Sequence, residues 1–301
     1  MPLLVTEADK LDEDDKARGI IEELIDKDEL FALLPFTASA NKNYSYVREA
    51  TISEASFISP YEAVPEGAAT FTEVLSVLKA LAGDVDIDKF TAVTQSNLND
   101  QVAVQIQAKI KGIGRKFRRT LMNGNAATNS KEFDGLRKLM PATQTIYAGV
   151  NGGVVGFDAL DELRDMVKLG ADVLMMRQGT WRAIRSLLRT FGGNDATHIM
   201  IENFGKPVPA YDGTPIIFND FIENVEVRGT NNNTCSIYAL RLNEADGFHG
   251  LFAAGAPAGV QYEEIGTIQN MDANRHRVKW YCGTALKATH AVARLAGITN
   301  I

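Results

Sequence analysis

Several residue groups in this chain have types and spacings that could do chemistry. Asn151-Gly152-Gly153-Val154-Val155-Gly156 follows a short apolar strand and precedes a helix, the place where a glycine-rich loop can cradle a dinucleotide. Asn151 stands where the first glycine of that fingerprint makes the tight turn, so the close approach to a pyrophosphate loses its warrant. A plain loop between two structural units explains the glycines. Asp84, Asp86 and Asp88 resemble part of a calcium loop, yet no glycine or downstream glutamate stands where such a loop requires one. Alternation with Val85 and Ile87 reads instead as the solvated face of a strand. His198, His249, His276 and His290 lie on separate elements, with no pair at metal spacing and no Gly-x-Ser-x-Gly nucleophile turn. Cys235 and Cys282 are too few and too far apart for a disulfide framework or a zinc site, and Cys282 reads as a small buried hydrophobe. The expectation is therefore no catalytic, cofactor or metal site, and no enzyme.

Two clusters of cations suggest contact rather than catalysis. Arg182, Arg185 and Arg189 recur at helical spacing opposite Trp181, Ile184, Leu187 and Leu188. Such a stripe is a solvated face or an interface in which guanidinium forks meet carboxylates. Lys109, Lys111, Arg115, Lys116, Arg118 and Arg119 crowd the end of another helix, more cations than a helix dipole needs. A neighbouring copy's acidic N-terminal arm carrying Asp12-Glu13-Asp14-Asp15, or DNA, would both suit them, and the arm is preferred. Over 301 residues the net charge is −7, which argues against wholesale nucleic-acid binding and leaves any DNA contact local. No apolar run has the length of a membrane span.

The element that positions these groups most clearly runs from Asn97. Leu98, Val102, Ile106, Ile110, Ile113, Phe117 and Leu121 form one unbroken helical stripe, with Asn97 as cap and Gly124 as stop. At 1.5 Å per residue that helix is roughly 37 Å long and needs a partner along its whole length. Residues 9–34 read as an acidic amphipathic segment ending at Pro35, joined to the rest by a small polar stretch. Tyr46, Ile52, Phe57, Ile58, Tyr61 and Val64 are interleaved with polar residues around a turn at Val64-Pro65-Glu66-Gly67, which predicts a long hairpin with little core of its own. Residues 73–90 read as one long strand returning from it. From Ile146 onward, strands at 146–150, 171–176, 215–218 and 235–242 alternate with helices at 158–168 and 180–191, an α/β unit. Residues 230–233 read as a flexible tip, and strands at 275–282 and 288–295 close the chain.

The long helix ending in Leu121-Met122-Asn123-Gly124-Asn125, the polar linker and Phe133-Asp134-Gly135-Leu136 resemble the peripheral domain of tailed-phage major capsid proteins with the HK97 fold. Ala171-Asp172-Val173-Leu174-Met175-Met176 and Asp212-Gly213-Thr214-Pro215-Ile216 are similar to the axial domain of that family. The resemblance implies an α+β, HK97-like capsid fold: an N-terminal arm at 1–43, an extended β-hairpin loop at 44–72, a peripheral domain with its spine helix at 73–145, and an α/β axial domain at 146–256. Residues 257–283 would return to the peripheral domain and 284–301 to the axial domain. It implies a structural protein that self-assembles through hexamers and pentamers into an icosahedral shell around double-stranded DNA, in the virion, after assembly in the host bacterial cytoplasm. Scaffolding, portal and decoration proteins are the implied partners. Tyr46, Phe57, Tyr61, Glu66, Arg115, Arg118, Arg182, Arg185 and Arg189 are the implied intersubunit contacts. In the cross-linking members of the family a loop lysine attacks an asparagine of another subunit, but residues 44–76 contain no lysine, so a non-covalent shell is expected. The rival readings are an encapsulin-type compartment, which shares the architecture but holds enzyme cargo, and a soluble α/β nucleotide-binding enzyme built on residues 151–156.

Overall fold

The computed structural model describes residues 29–90, 101–168, 170–190, 198–200, 207–256 and 259–299. The acidic segment ahead of residue 29, and the cap at Asn97 with Leu98, lie outside the described residues. The chain enters through a short helix, α1 (Glu29–Leu33), and β1 (Phe36–Ser39), then forms the hairpin strands β2 (Asn43–Thr51) and β3 (Thr70–Val77) and the strand β4 (Lys79–Asp88). The spine helix α2 (Gln101–Asn123) follows, then one turn of helix α3 (Leu136–Leu139), β5 (Thr145–Tyr147), α4 (Phe157–Asp165), β6 (Val173–Met176) and α5 (Gln178–Thr190). Strands β7 (His198–Met200), β8 (Pro207–Tyr211), β9 (Thr214–Phe218), β10 (Glu226–Arg228), β11 (Asn231–Leu240) and β12 (Phe248–Ala253) come next. The chain ends in β13 (Gln261–Thr267), β14 (Ala273–Leu286) and β15 (Val292–Ile298).

Two sheets organise the body. In the first, β1, β12, β14 and β13 lie in that order, and β4 also pairs with the long β14. In the second the order is β5, β15, β11, β6, β9, β8, β7, with β10 added to β11. The apolar stripe of α2 lies on the first sheet: Ile110, Ile113, Phe117 and Leu121 are buried, and the ring of Phe117 sits 4.4 Å from that of Trp280 on β14. Phe31 and Phe133 close the same aromatic cluster at 5.3 and 5.6 Å from Phe117. Helices α4 and α5 bury Leu160, Leu163, Trp181 and Ile184 against Leu174, Ile216, Ile237 and Leu295 of the second sheet.

The phrase Phe133-Asp134-Gly135-Leu136 is a backbone junction. Helix α2 stops where the Gly124 amide donates to the Thr120 carbonyl at 2.7 Å, and the Gly135 amide then donates to the Gly124 carbonyl at 2.9 Å. A Cβ on Gly135 would come within 2.4 Å of the Thr120 carbonyl oxygen, so only glycine lets the two turns touch. Asp134 accepts from the Ala126 amide at 2.8 Å, and its carbonyl receives the Thr284 hydroxyl at 2.6 Å.

Several expected boundaries shift for physical reasons. Residues 73–90 are not one strand: the chain breaks at Leu78, whose amide donates to the Lys42 carbonyl and whose side chain enters a small core with Tyr46, Leu251 and Ala285. The hairpin therefore runs to Val77, past the expected limit at 72. Residues 231–233 are no flexible tip but the start of β11, paired with β10 through Arg228 and Asn231. The expected return at 284 falls inside β14, and 288–295 is a 3-10 turn (Thr289–Ala291) leading into β15. The first strand of the α/β unit is only Thr145–Tyr147, because Ala148 makes the last ladder bond to Ala296 before the glycine loop begins.

Candidate intersubunit surface

The hairpin has a root that belongs to the body and an end that does not. Alternation along β2 puts Tyr44, Tyr46 and Arg48 on one face. The Tyr46 hydroxyl donates to the Leu286 carbonyl at 2.6 Å and the ring is 9% exposed. Arg48 donates through Nε to the Lys287 carbonyl at 2.6 Å and through a terminal nitrogen to the Leu286 carbonyl, with its guanidinium 5.5 Å from the Tyr46 ring. The Tyr44 ring meets the buried His249 edge-on at 5.9 Å, with the Lys287 ammonium at the same distance on the Tyr44 ring. These contacts reach the end of β14, where the chain passes from the first sheet to the second. An open groove of about 630 Å³ runs beside this root, lined by Arg48, Ala50, Asp246, Lys287 and His290 among others.

Beyond Arg48 the hairpin has no support from its own body. β2 and β3 pair with each other alone, and Ile52 and Phe71 are exposed. Phe57 and Tyr61 are fully exposed at 108% and 109%, and Tyr61 takes a positive φ of 69° where the chain turns. Glu66 is exposed in the same segment. A two-stranded ribbon with that much bare apolar surface is marginal in water unless something covers it.

Of the other residues singled out from the sequence, Arg182 and Arg189 are exposed on α5 and Arg185 is half-buried, on the side away from Trp181 and Ile184. Arg115 is exposed on α2, while Arg118 lies with Arg119 against the ring of Phe221, each guanidinium 5.5 Å from its centre. Tyr46 differs from the expectation of a contact residue: burial and its hydroxyl bond commit it to its own chain, and its strand position alone could not reveal that partner 240 residues away. Arg48 was missed for the same reason. Its neighbours in sequence carry no sign of the Leu286 and Lys287 carbonyls.

The residues with potential chemistry serve the fold. Gly152 has a φ of 84°, and the Gly153 amide donates to the Gly297 carbonyl at 2.8 Å, so the glycine loop closes against the end of β15. The Asn151 side chain accepts from the Thr230 amide at 3.2 Å. Asp84 and Asp86 take bidentate bonds from Arg277 and Arg275 at 2.7 to 2.8 Å, which hold both carboxyls below their usual range. His276 shares a 2.6 Å bond with the Tyr262 hydroxyl, and burial holds His249 below the ordinary imidazole value. Burial likewise pushes the Cys235 thiol up to about 11. Among the described residues no three of His, Cys, Asp and Glu gather as metal ligands, and no helix is long and apolar enough to cross a membrane.

A family model for "Major capsid protein GP7" matches residues 12–150, the stretch that contains the hairpin and the spine helix. The fold matches the SrpI encapsulin of Synechococcus elongatus PCC 7942 with a TM-score of 0.72 at 20% identity, covering 90% of this chain and 87% of that one. It matches the capsid of a native GTA particle at 0.64 and 12% identity, with 89% of each chain covered. The chain has an HK97-like fold. Mycobacterium phage Bobi supplies a further match at 0.61 and 15% identity, again over 89% of each chain. No curated protein matches this chain in sequence.

Proposed function

We propose that this protein is a major capsid protein that forms a closed icosahedral shell of hexamers and pentamers, encloses the double-stranded DNA of a tailed phage and contributes no catalysis. The observation that carries this reading is the hairpin: Phe57, Tyr61 and Val64 are bare in the single chain, so the free energy of assembly comes from burying such surface on an adjacent copy. Glu66, Arg182, Arg185, Arg189, Arg115 and Arg118 are assigned to contacts between subunits in the same reading. Residues 1–43 form the arm, the two sheets belong to the peripheral and axial domains, and the passage at Lys287 between them supports that division. Scaffolding, portal and decoration proteins act with it during assembly in the bacterial cytoplasm, and the finished shell resides in the virion.

Electron microscopy of the protein expressed with its scaffold, together with an assay for nuclease-protected DNA, tests the proposal. Closed shells that protect DNA are expected. Shells filled with protein and free of DNA would assign the encapsulin reading instead, and a strictly monomeric species under assembly conditions would remove both.

A further inference from the structure

The chain holds two Asn-Gly pairs, Asn123-Gly124 and Asn151-Gly152. In such a pair the amide nitrogen after the asparagine can attack the side-chain carbonyl, because glycine has no Cβ to obstruct the approach. The fold treats the two pairs in opposite ways. Asn123 is the last residue of α2, and a helical side chain leans toward the N-terminus, away from the amide that follows it. The buried Gly124 amide donates to the Thr120 carbonyl at 2.7 Å, and Asn123 Nδ2 donates to the Phe221 carbonyl at 2.9 Å. Both the attacking nitrogen and the departing one are held.

At Asn151 these restraints are weak or missing. The residue is exposed to water in the loop between β5 and α4, beside Val150, which is 82% exposed. Its Nδ2 makes no hydrogen bond to a described residue, and its Oδ1 accepts from the Thr230 amide at 3.2 Å. That donor is placed to stabilise the negative charge that grows on the oxygen during attack. The Gly152 amide has only a long 3.3 Å bond to the Gly149 carbonyl. We propose that Asn151 is a self-modification site whose only co-reactant is water. The Gly152 nitrogen loses its proton to solvent base and bonds to Asn151 Cγ. The Cγ–Nδ2 bond then breaks, and ammonia leaves after taking up a proton from solvent, which closes a cyclic imide. Water opens either imide carbonyl and leaves aspartate or isoaspartate at position 151. Isoaspartate lengthens the main chain by a methylene where the loop has no slack. The Gly153 amide donates to the Gly297 carbonyl at 2.8 Å and the Thr299 amide to the Gly153 carbonyl at 3.0 Å, while a Cβ on Gly152 would come within 2.8 Å of the Gly297 oxygen. An aged chain thus carries a loosened seam at the end of β15. The seam belongs to the single chain, so the site is the same whatever a shell of this protein encloses.

Ageing the full-length protein at mildly alkaline pH in water enriched in heavy oxygen, followed by trypsin digestion in ordinary water and mass spectrometry, tests the proposal. The two pairs fall on separate tryptic peptides, Leu139–Arg164 and Thr120–Lys131, and fragmentation locates the converted residue. Asn151 should exchange its amide for a labelled carboxyl about 30-fold faster than Asn123, where two hydrogen bonds must open first. In denaturant the two rates should converge. Amide exchange at Gly153 and Thr299 should quicken in the aged natural protein and stay unchanged in aged Asn151→Gln, whose longer side chain closes only a larger, slower-forming ring. Three results would overturn the proposal: equal conversion of both sites in the folded protein, no conversion of folded Asn151 over a period in which the denatured chain converts fully, or unchanged exchange at Gly153 and Thr299 after conversion.

Discussion

Replacing Arg48 with alanine removes the outermost bonds between the hairpin and the body, and its effect can be worked from the geometry at the root. The side chain donates to the Lys287 carbonyl at 2.6 Å and to the Leu286 carbonyl, and the latter keeps the Tyr46 hydroxyl as a donor after the change. A hydrogen bond from a charged group is worth about 1.5–3 kcal/mol, and partial exposure of Arg48 places the net loss near the lower end, about 2 kcal/mol. At about 1.4 kcal/mol per factor of ten, the root should open roughly 30-fold more often. Neither of the two principal cores contains Arg48, so the body should stay folded. Amide exchange should therefore accelerate at Tyr46, Val47 and their partners Val74 and Glu73, while amides around Trp280 keep their protection. Assembly followed by light scattering should need a higher protein concentration, because each subunit must fix the hairpin direction before its neighbour can receive it. Unchanged exchange in β2 and β3 would refute the clamp. A fall in the global melting temperature beyond about 4 °C would show instead that Arg48 supports the whole fold.

Further outcomes follow from the same structure. Deleting Tyr61–Thr70 should leave a folded monomer and abolish shells, since those residues are exposed and in the proposed shell would rest on an adjacent copy; a lost thermal transition in the monomer would place them in the home core. Mature particles boiled in denaturant should release one band of monomer mass, because no lysine occurs between Tyr44 and Ser76 and Lys79 already donates to the Ser130 carbonyl at 2.6 Å; a ladder of linked multimers would exclude this. His249 makes stability depend on pH. Burial lowers its proton affinity in the fold and outweighs the Gly247 carbonyl, which acts the other way; Lys287 adds to the lowering and Glu244 opposes it. The unfolded chain thus takes up the proton first, so stability is full above about pH 6.5 and declines as the pH falls below it. Exchange of His249 for Gln should flatten that decline between about pH 7 and 5; an identical slope in both proteins would assign the loss to other groups.

Local periodicity reveals elements, and in this chain it reveals many. The α2 stripe, the Gly124 stop, the Tyr211-Asp212-Gly213-Thr214 turn between β8 and β9 and the strand–helix alternation after residue 145 all rest on contacts within a few residues, where spacing and turn chemistry are decisive. The lack of core around Phe57 and Tyr61 was legible for the same reason: a ribbon whose apolar residues alternate with Ser, Thr and Glu has nothing nearby to bury them. Boundaries failed where a distant partner intervened. Leu78 breaks a run of strand-forming residues because Leu251 and Ala285 offer it a buried site, and Asn231–Asn233 extend because β10 satisfies their backbone.

Composition and motif determined by themselves an α+β design with a long helix, a bare hairpin and an α/β unit. Tertiary structure alone decided which of the hairpin residues are held at home. Tyr46 and Arg48 look like any alternating strand residues, and their roles come from carbonyls some 240 residues away that only the folded chain brings within reach. A backbone carbonyl is present at every residue and leaves no trace in the sequence, so no pattern of side chains can announce which one a distant donor will find.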